Sequence, residues 1–250
     1  MWRIVMFDNR TSYRSQVERE GLVSFIVTSC QTNLQILADH DLTKEATEHL
    51  LLQRGYLEEF IRQHPEFATT LAHFPSNGPA PEIVRRMIEA TKIAGVGPMA
   101  SVAGALAEFV GQSLLPLSRE VIIENGGDIF IRVVRPLTIG IFAGHSPLSM
   151  KIGLSFKREN QPFSVCTSSG TVGHSLSFGK ADAVCIVSKS ALIADAAATA
   201  IGNRVSSEKD IDPAIRFGKG IEGVQGIVVI LGRKMGLWGD VELVKLSKKA

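Results

Sequence analysis

The chain has 250 residues, room for one large domain or two small ones, and its 45% hydrophobic and 21% charged content is that of an ordinary globular protein. A net charge of +2 supplies no electrostatic footprint for nucleic acid, and the C-terminal Lys245, Lys248 and Lys249 read as a short solvated tail. No uncharged apolar run reaches the ~18 residues of a membrane span, and Cys30, Cys166 and Cys185, odd in number and without metal-ligand spacing, argue against a disulfide scaffold and suit a reducing cytoplasm.

Strands are predicted at 23–28 and 34–37, separated by a polar turn. The run before Cys30 resembles a short signal core ahead of a lipid-accepting cysteine, but Glu18 and Glu20 precede it and β-branched residues fill it, so it reads as a strand. Thr43 can cap an amphipathic helix to about residue 63, with Glu45 and Glu48 near its start. Pro65 opens a short helical piece, and Pro75 and Pro79 break the chain. Pro81 fits the first turn of a helix reaching 94, and a small-residue helix follows over 100–115. Strands then dominate, at 121–124, 129–134, 138–142, 152–156, 163–166 and 183–187. A helix over 191–202 and strands at 227–231 and 241–246 complete the reading, with the polar stretch 206–220 and its Asp212-Pro213 pair the least ordered part. Helices grouped beside strand meanders point to an α+β fold, taken here as a single domain over 1–250.

Several motifs bear on function. Gly95-Val96-Gly97-Pro98-Met99-Ala100 formally matches the dinucleotide fingerprint, but a helix precedes it where that motif needs a strand, and Pro98 removes an amide; it reads as a turn between helices, with small residues against a ligand or a packed neighbour. Gly173 to Lys180 is one residue too long for a P-loop, and Ala181 stands where serine or threonine is needed. Between two strands, Glu124-Asn125-Gly126-Gly127-Asp128 is either a tight hairpin turn or a glycine floor that lets a ligand approach the backbone. The loop from Cys166 to Lys180 offers many neutral donors and little bulk, as a phosphate cradle requires; its His174 is either an acid–base group or a loop histidine held by nearby hydroxyls. His145 reads as a turn residue. Asp195 and Thr199 lie four residues apart on one helix face and could hold a hard cation such as magnesium. Asp195 sits among alanines and needs a partner if buried, for which Lys180 and Arg204 are the alternatives to a metal.

Taken in order, these pieces resemble the ApbE-like superfamily, whose known members include FAD:protein FMN transferases. The resemblance covers most of the chain and implies mixed and antiparallel sheets packed with helices. It implies a flavin site lined by Gly97, Asn125, Gly126, Gly127, Asp128, Thr167, Ser168, Ser169, Gly170, Thr171 and Ser175. It also implies Mg2+ held by Asp195, Thr199 and a backbone carbonyl within 98–100, and His174 as the catalytic histidine of an H-x-x-D-P-x-T-G signature. FAD or FMN is then substrate or ligand, and an acceptor protein is the implied partner; neither nucleic acid nor membrane is expected, self-association stays open, and the cytoplasmic branch of the superfamily is the better match. Three departures matter: Ser177-Phe178 replaces the Asp-Pro of the signature, no lysine follows Ala100, and the lipoprotein signal of secreted members is missing. They favour one alternative to a Mg2+-dependent FMN transferase or FAD pyrophosphatase, a non-catalytic flavin, nucleotide or pterin binder; a second is an enzyme acting on a different ligand such as a pterin, since one fold can host unrelated chemistries.

Overall fold

The computed structural model describes residues 3–5, 20–75, 78–157, 161–170 and 178–246. In chain order it forms β1 (Arg3–Val5), β2 (Val23–Ser29), β3 (Thr32–Ala38), α1 (Thr43–Gln63), a 3₁₀ turn (Pro65–Ala68), α2 (Glu82–Ala94), a second 3₁₀ turn (Pro98–Ser101) and α3 (Val102–Leu114). Then come β4 (Val121–Asn125), β5 (Asp128–Arg132), β6 (Leu137–Gly140), β7 (Ile152–Phe156), β8 (Phe163–Ser168), β9 (Ala183–Ser188) and α4 (Ala191–Gly202). A third 3₁₀ turn (Glu208–Asp210), α5 (Ile211–Lys219), β10 (Val224–Leu231), β11 (Lys234–Gly239) and β12 (Glu242–Lys245) follow. The expected α+β class is observed.

Eight strands form one antiparallel sheet in the order β11-β10-β9-β8-β5-β4-β3-β2. A four-stranded sheet, β1-β6-β7-β12, is mixed because β1 runs parallel to β6. The apolar strands of the large sheet are buried on both faces, which is why they read as continuous hydrophobic runs instead of alternating ones. Ile36, Ile123 and Phe130 face α1, α2 and α3, while Cys166, Val184, Ile186, Ile227 and Val229 face α4 and α5. Their neighbours Leu37, Ile122, Ile129, Ile131, Val165, Cys185 and Val228 face Leu137, Ile139 and Leu154 of the small sheet. Strand alternation thus builds a helix layer, a central sheet and a second sheet from one continuous sequence.

Close contacts at small residues set the helices. A Cβ on Gly111 of α3 would lie 2.1 Å from Phe130 Cδ1, so only glycine lets the helix sit on that ring. A Cβ on Gly104 would lie 2.4 Å from the Ala191 carbonyl oxygen, which marks where α3 crosses α4.

The 206–220 stretch is not loosely ordered. Ser207 and Asp210 form a capping box, and α5 follows with Ile211, Ala214, Ile215 and Gly218 buried. Pro213 lies in the first turn, where its missing amide costs nothing. β11, also unanticipated, pairs with β10; a Cβ on its Gly236 would come within 2.5 Å of Ile211 Cγ2, so α5 rests on a strand whose glycines hid it from propensity.

Candidate functional site

The β4–β5 hairpin turns on Gly126 (φ 62°) and Gly127 (φ 107°), both in the region that favours glycine, with the Gly127 amide donating to Glu124 Oε1 at 3.0 Å. The tight-turn reading of this motif is therefore correct, and the turn also presents two side chains to the helix layer. Asn125 Nδ2 donates to the Ala103 carbonyl of α3 at 3.0 Å. Asp128, opposite Cys166 in the sheet register, is buried beside Asp195 of α4 and hydrogen-bonds the Cys166 thiol, which also lies 3.5 Å from the Ala191 carbonyl.

Asp195 finds neither Lys180 nor Arg204, the two cations proposed from sequence. Lys180 is exposed, and the Arg204 guanidinium stacks 3.5 Å from the Phe217 ring centroid while donating to the Ala200 carbonyl. Asp195 Oδ2 instead accepts the Gly104 amide at 2.9 Å, with the Ala103 amide also bonded to its carboxylate. Those amides are orphan donors at the start of α3, so Asp195 caps a helix distant in sequence. The arrangement is reciprocal. Glu108 of α3, 1% exposed, accepts the Ala191 amide at 2.6 Å and the Ser190 hydroxyl at 3.1 Å at the start of α4, and also takes Gln112 and Arg86. Ser190 and Ser101, at the helix starts, make no capping bond with their own side chains.

Burial pushes the Asp195 carboxyl up to about 7, against the Gly104 and Ala103 amides, which lower it. Burial first, then the Asp195 charge, raises Asp128 well above the ordinary carboxylate range. Burial likewise raises the Cys166 thiol and pushes the Cys185 thiol up to about 12, so neither is a ready nucleophile. Since folding raises the Asp195 value, the folded chain holds more protons than the unfolded chain between 3.8 and about 7. Stability is therefore expected to fall as pH rises through that window. Urea melts at about pH 5.5 and about pH 7.5 should differ by on the order of 1 kcal/mol more in the parent than in Asp195→Asn. An equal pH response in both would remove Asp195 from this role.

The other predicted site residues divide. Thr167 hydrogen-bonds the Gly127 carbonyl through its amide at 3.1 Å, but its hydroxyl lies 3.3 Å from Cys185 Sγ, on the face away from α4. Ser168 shares the face of Cys166 by alternation, and Ser169 is half-buried next to it. Gly170 and Gly179 form the base of the loop: a Cβ on Gly170 would meet the Gly179 carbonyl oxygen at 2.1 Å, and one on Gly179 the Gly202 carbonyl oxygen at 1.8 Å. Gly97 passes under Thr70, whose carbonyl oxygen would be 1.9 Å from a Cβ, so the packed-neighbour reading accounts for this glycine. Thr199 is half-buried one turn along α4 from Asp195. His145 is an exposed turn residue, as expected. Thr171, His174 and Ser175 lie outside the described residues.

Sequence reasoning missed Glu108, although it stands in an apolar helix as Asp195 does, and the same signal would have found it. It also missed a cavity of about 480 Å³ between α1 and α3. Leu57, Ile61, Met99, Val102 and Leu106 line it, with Gln31, Thr32, Arg54, Glu58 and Asn125 as polar groups. Ala103 is common to both places: it lines the cavity, accepts from Asn125 and donates to Asp195.

Does this donor set fit a divalent cation? Asp128 Oδ1 is buried without a hydrogen-bond partner among the described residues, beside a second raised carboxyl, and a cation would relieve both costs. No cluster of three or more His, Cys, Asp or Glu side chains among the described residues is arranged for a metal. That excludes an all-side-chain cage there, yet suits Mg2+, which commonly uses one or two carboxylates with ligand phosphate and water.

The fold defines the class of protein first. A flavinyl transferase ApbE of Pseudomonas stutzeri superposes with a TM-score of 0.58 at 15% identity, over 87% of this chain and 94% of that one. A mutant flavin transferase ApbE from Vibrio cholerae gives 0.55 at 12% identity, over 87% and 96%. This is the ApbE fold. The chain belongs to the family described as "AbpE bacteria", matched over residues 14–237, within the ApbE-like superfamily. Among its relatives are UPF0280 proteins of Methanocaldococcus jannaschii, 43% identical over 88% of this chain and 92% of the relative, and of Methanococcus aeolicus, 38% identical over 89% and 93%. No single helix among the described residues is long and apolar enough to cross a membrane.

Proposed function

We propose that this chain binds a flavin nucleotide, FAD or FMN, together with Mg2+, between the Gly126-Gly127 turn and α4. The observation that carries this reading is the buried Asp128 Oδ1, unpartnered among the described residues, beside the raised Asp195 carboxyl, in a fold shared with proteins named as flavin transferases. Asp195 and Thr199 would hold the ion, with Asp128 adjoining it and a carbonyl within 98–100 on the facing turn. Mg2+ would supply charge neutralisation on the pyrophosphate oxygens. The glycine turn would let the backbone approach the ligand, and Ser168, Ser169 and Gly170 would begin a phosphate-binding loop continued by Thr171 and Ser175.

The reaction this site suits is cleavage of the FAD pyrophosphate. The hydroxyl of an acceptor protein, or water, attacks the FMN phosphorus; a P–O bond forms there while the bond to AMP breaks. His174 is the group proposed to take the proton that the hydroxyl releases. Incubating the pure chain with FAD and Mg2+ should then yield AMP and FMN, or FMN carried on a protein, with neither appearing in EDTA. The Ser177-Phe178 departure favours a second reading, a binder without transfer chemistry: Phe178 is 63% exposed, and its amide is held by Asn203 Oδ1 at 2.9 Å. FAD bound tightly with Mg2+ and recovered intact would select that reading. Failure to bind any flavin would end both.

A further inference from the structure

Arg54 sits where the helical period of α1 calls for an apolar side chain. Leu50 and Leu57 of the same stripe are buried and Ile61 packs on the core, yet Arg54, with its side chain 14% exposed, lies between them. A cation on the inward stripe carries a desolvation cost that its surroundings must offset. Nη1 donates to the hydroxyl of Thr32, a residue 5% exposed, at 2.6 Å, and Nη2 pairs with the exposed Glu58 carboxylate at 2.5 Å. Those bonds occupy part of a guanidinium that has five N–H donors. The same arginine lines the 480 Å³ cavity, whose apolar walls are Leu57, Ile61, Met99, Val102 and Leu106; Glu58, Thr32 and Gln31 also border it, and Asn125 leads to the Asp195 side. Apolar walls with one cation among the polar groups suit a flat ring system whose edge accepts hydrogen bonds.

We infer that Arg54 is the specificity-determining residue of this cavity, selecting a planar heterocycle with a carbonyl edge, as in a flavin or pterin, over apolar ring systems of similar size. The inference rests on the flavin reading above. Thr32 holds the guanidinium in place and Glu58 balances its charge, so the fork is oriented before a ligand arrives.

Calorimetry on the full chain with riboflavin and with phenazine, a tricycle lacking carbonyl groups, tests this. The parent should bind riboflavin about tenfold more tightly than phenazine, the scale of one hydrogen bond to a charged group. Arg54→Met, which keeps the apolar stem, should weaken riboflavin about tenfold and change phenazine by less than about twofold. Arg54→Lys should recover only part of the difference, because an ammonium lacks the planar fork. A parent without preference for riboflavin overturns the inference, and so does an equal loss of both probes in Arg54→Met, which marks the arginine as a tie between α1 and the β2–β3 hairpin. Riboflavin carries no phosphate, so its binding does not report on the cation site. Arg54-dependent riboflavin binding without Mg2+-dependent FAD binding removes the transferase reading alone. Mg2+-dependent FAD binding with riboflavin indifferent to Arg54 removes this inference alone.

Discussion

Asp195→Asn is expected to abolish the stabilisation that FAD and Mg2+ together confer, while leaving the ligand-free chain folded. At about 100 times the dissociation constant a ligand adds about 2.7 kcal/mol to the folded state. The parent should show a gain of that order in a thermal or urea melt. The mutant should gain less than about 1 kcal/mol at the same concentrations, because losing a charged ligand lowers cation affinity on the order of a hundredfold. The ligand-free mutant should survive for two opposing reasons. Asparagine can still accept an amide of Ala103 or Gly104, though less strongly than a carboxylate at a helix start. It also removes a charge that raises the neighbouring Asp128. Full Mg2+-dependent stabilisation in the mutant would take Asp195 out of the cation site and leave it as the cap of α3.

Glu108→Leu should be the most damaging single change to the framework, costing about 3 kcal/mol in a urea melt. The carboxylate joins three helices, accepting from Arg86 of α2, Gln112 of its own helix, and Ser190 and Ala191 at the start of α4. Removing it leaves the buried Ala191 amide without its acceptor, which is costly where water cannot reach, and strips the part-exposed Arg86 guanidinium of its ion partner. Arg86→Met added to Glu108→Leu should recover part of the loss by removing the orphaned charge, but not the part owed to α4. Because the crossing of α3 and α4 also sets Asp195 against Gly104, Glu108→Gln, which keeps the size and one acceptor, should lie between parent and leucine. A leucine variant within about 0.5 kcal/mol of the parent would show that the clamp adds nothing net.

Local chemistry made much of this fold legible. The bounds of β7 and α4 are where apolar runs and small-residue content place them, because those signals act within a turn or a strand; α1 ends as expected, but Thr43 is its first residue and not its cap, its amide and hydroxyl both donating to Asp41 Oδ1. The Gly126-Gly127 turn was readable because positive φ restricts the residues a hairpin accepts. Asp195 was conspicuous as a charge among alanines. The helix α5 was not legible: a polar run with an Asp-Pro pair resembles a loop until Ile211 and Ile215 find Gly236 of β11 beneath them.

What only the tertiary structure decided is who meets whom. Sequence spacing proposed Lys180 or Arg204 for Asp195, but the partners are amides of α3, with Gly104 91 residues away; Glu108 meets the Ala191 amide across 83 residues. No window of sequence holds both halves of such a pair. A helix-start amide, moreover, looks the same in every sequence, since it belongs to the backbone and is distinguished only by the carboxylate that folding brings to it. Arg54 follows the same logic in reverse. Its residue type was visible, yet its meaning depends on the cavity that α1 and α3 enclose, and enclosed volume is a property of packed elements that a linear chain does not possess. The sequence by itself therefore determined most of the elements, the α+β class and Asp195 as an acid worth examining, while packing alone decided which acids cap helices, which oxygen is left unpartnered among the described residues, and where a ligand has room.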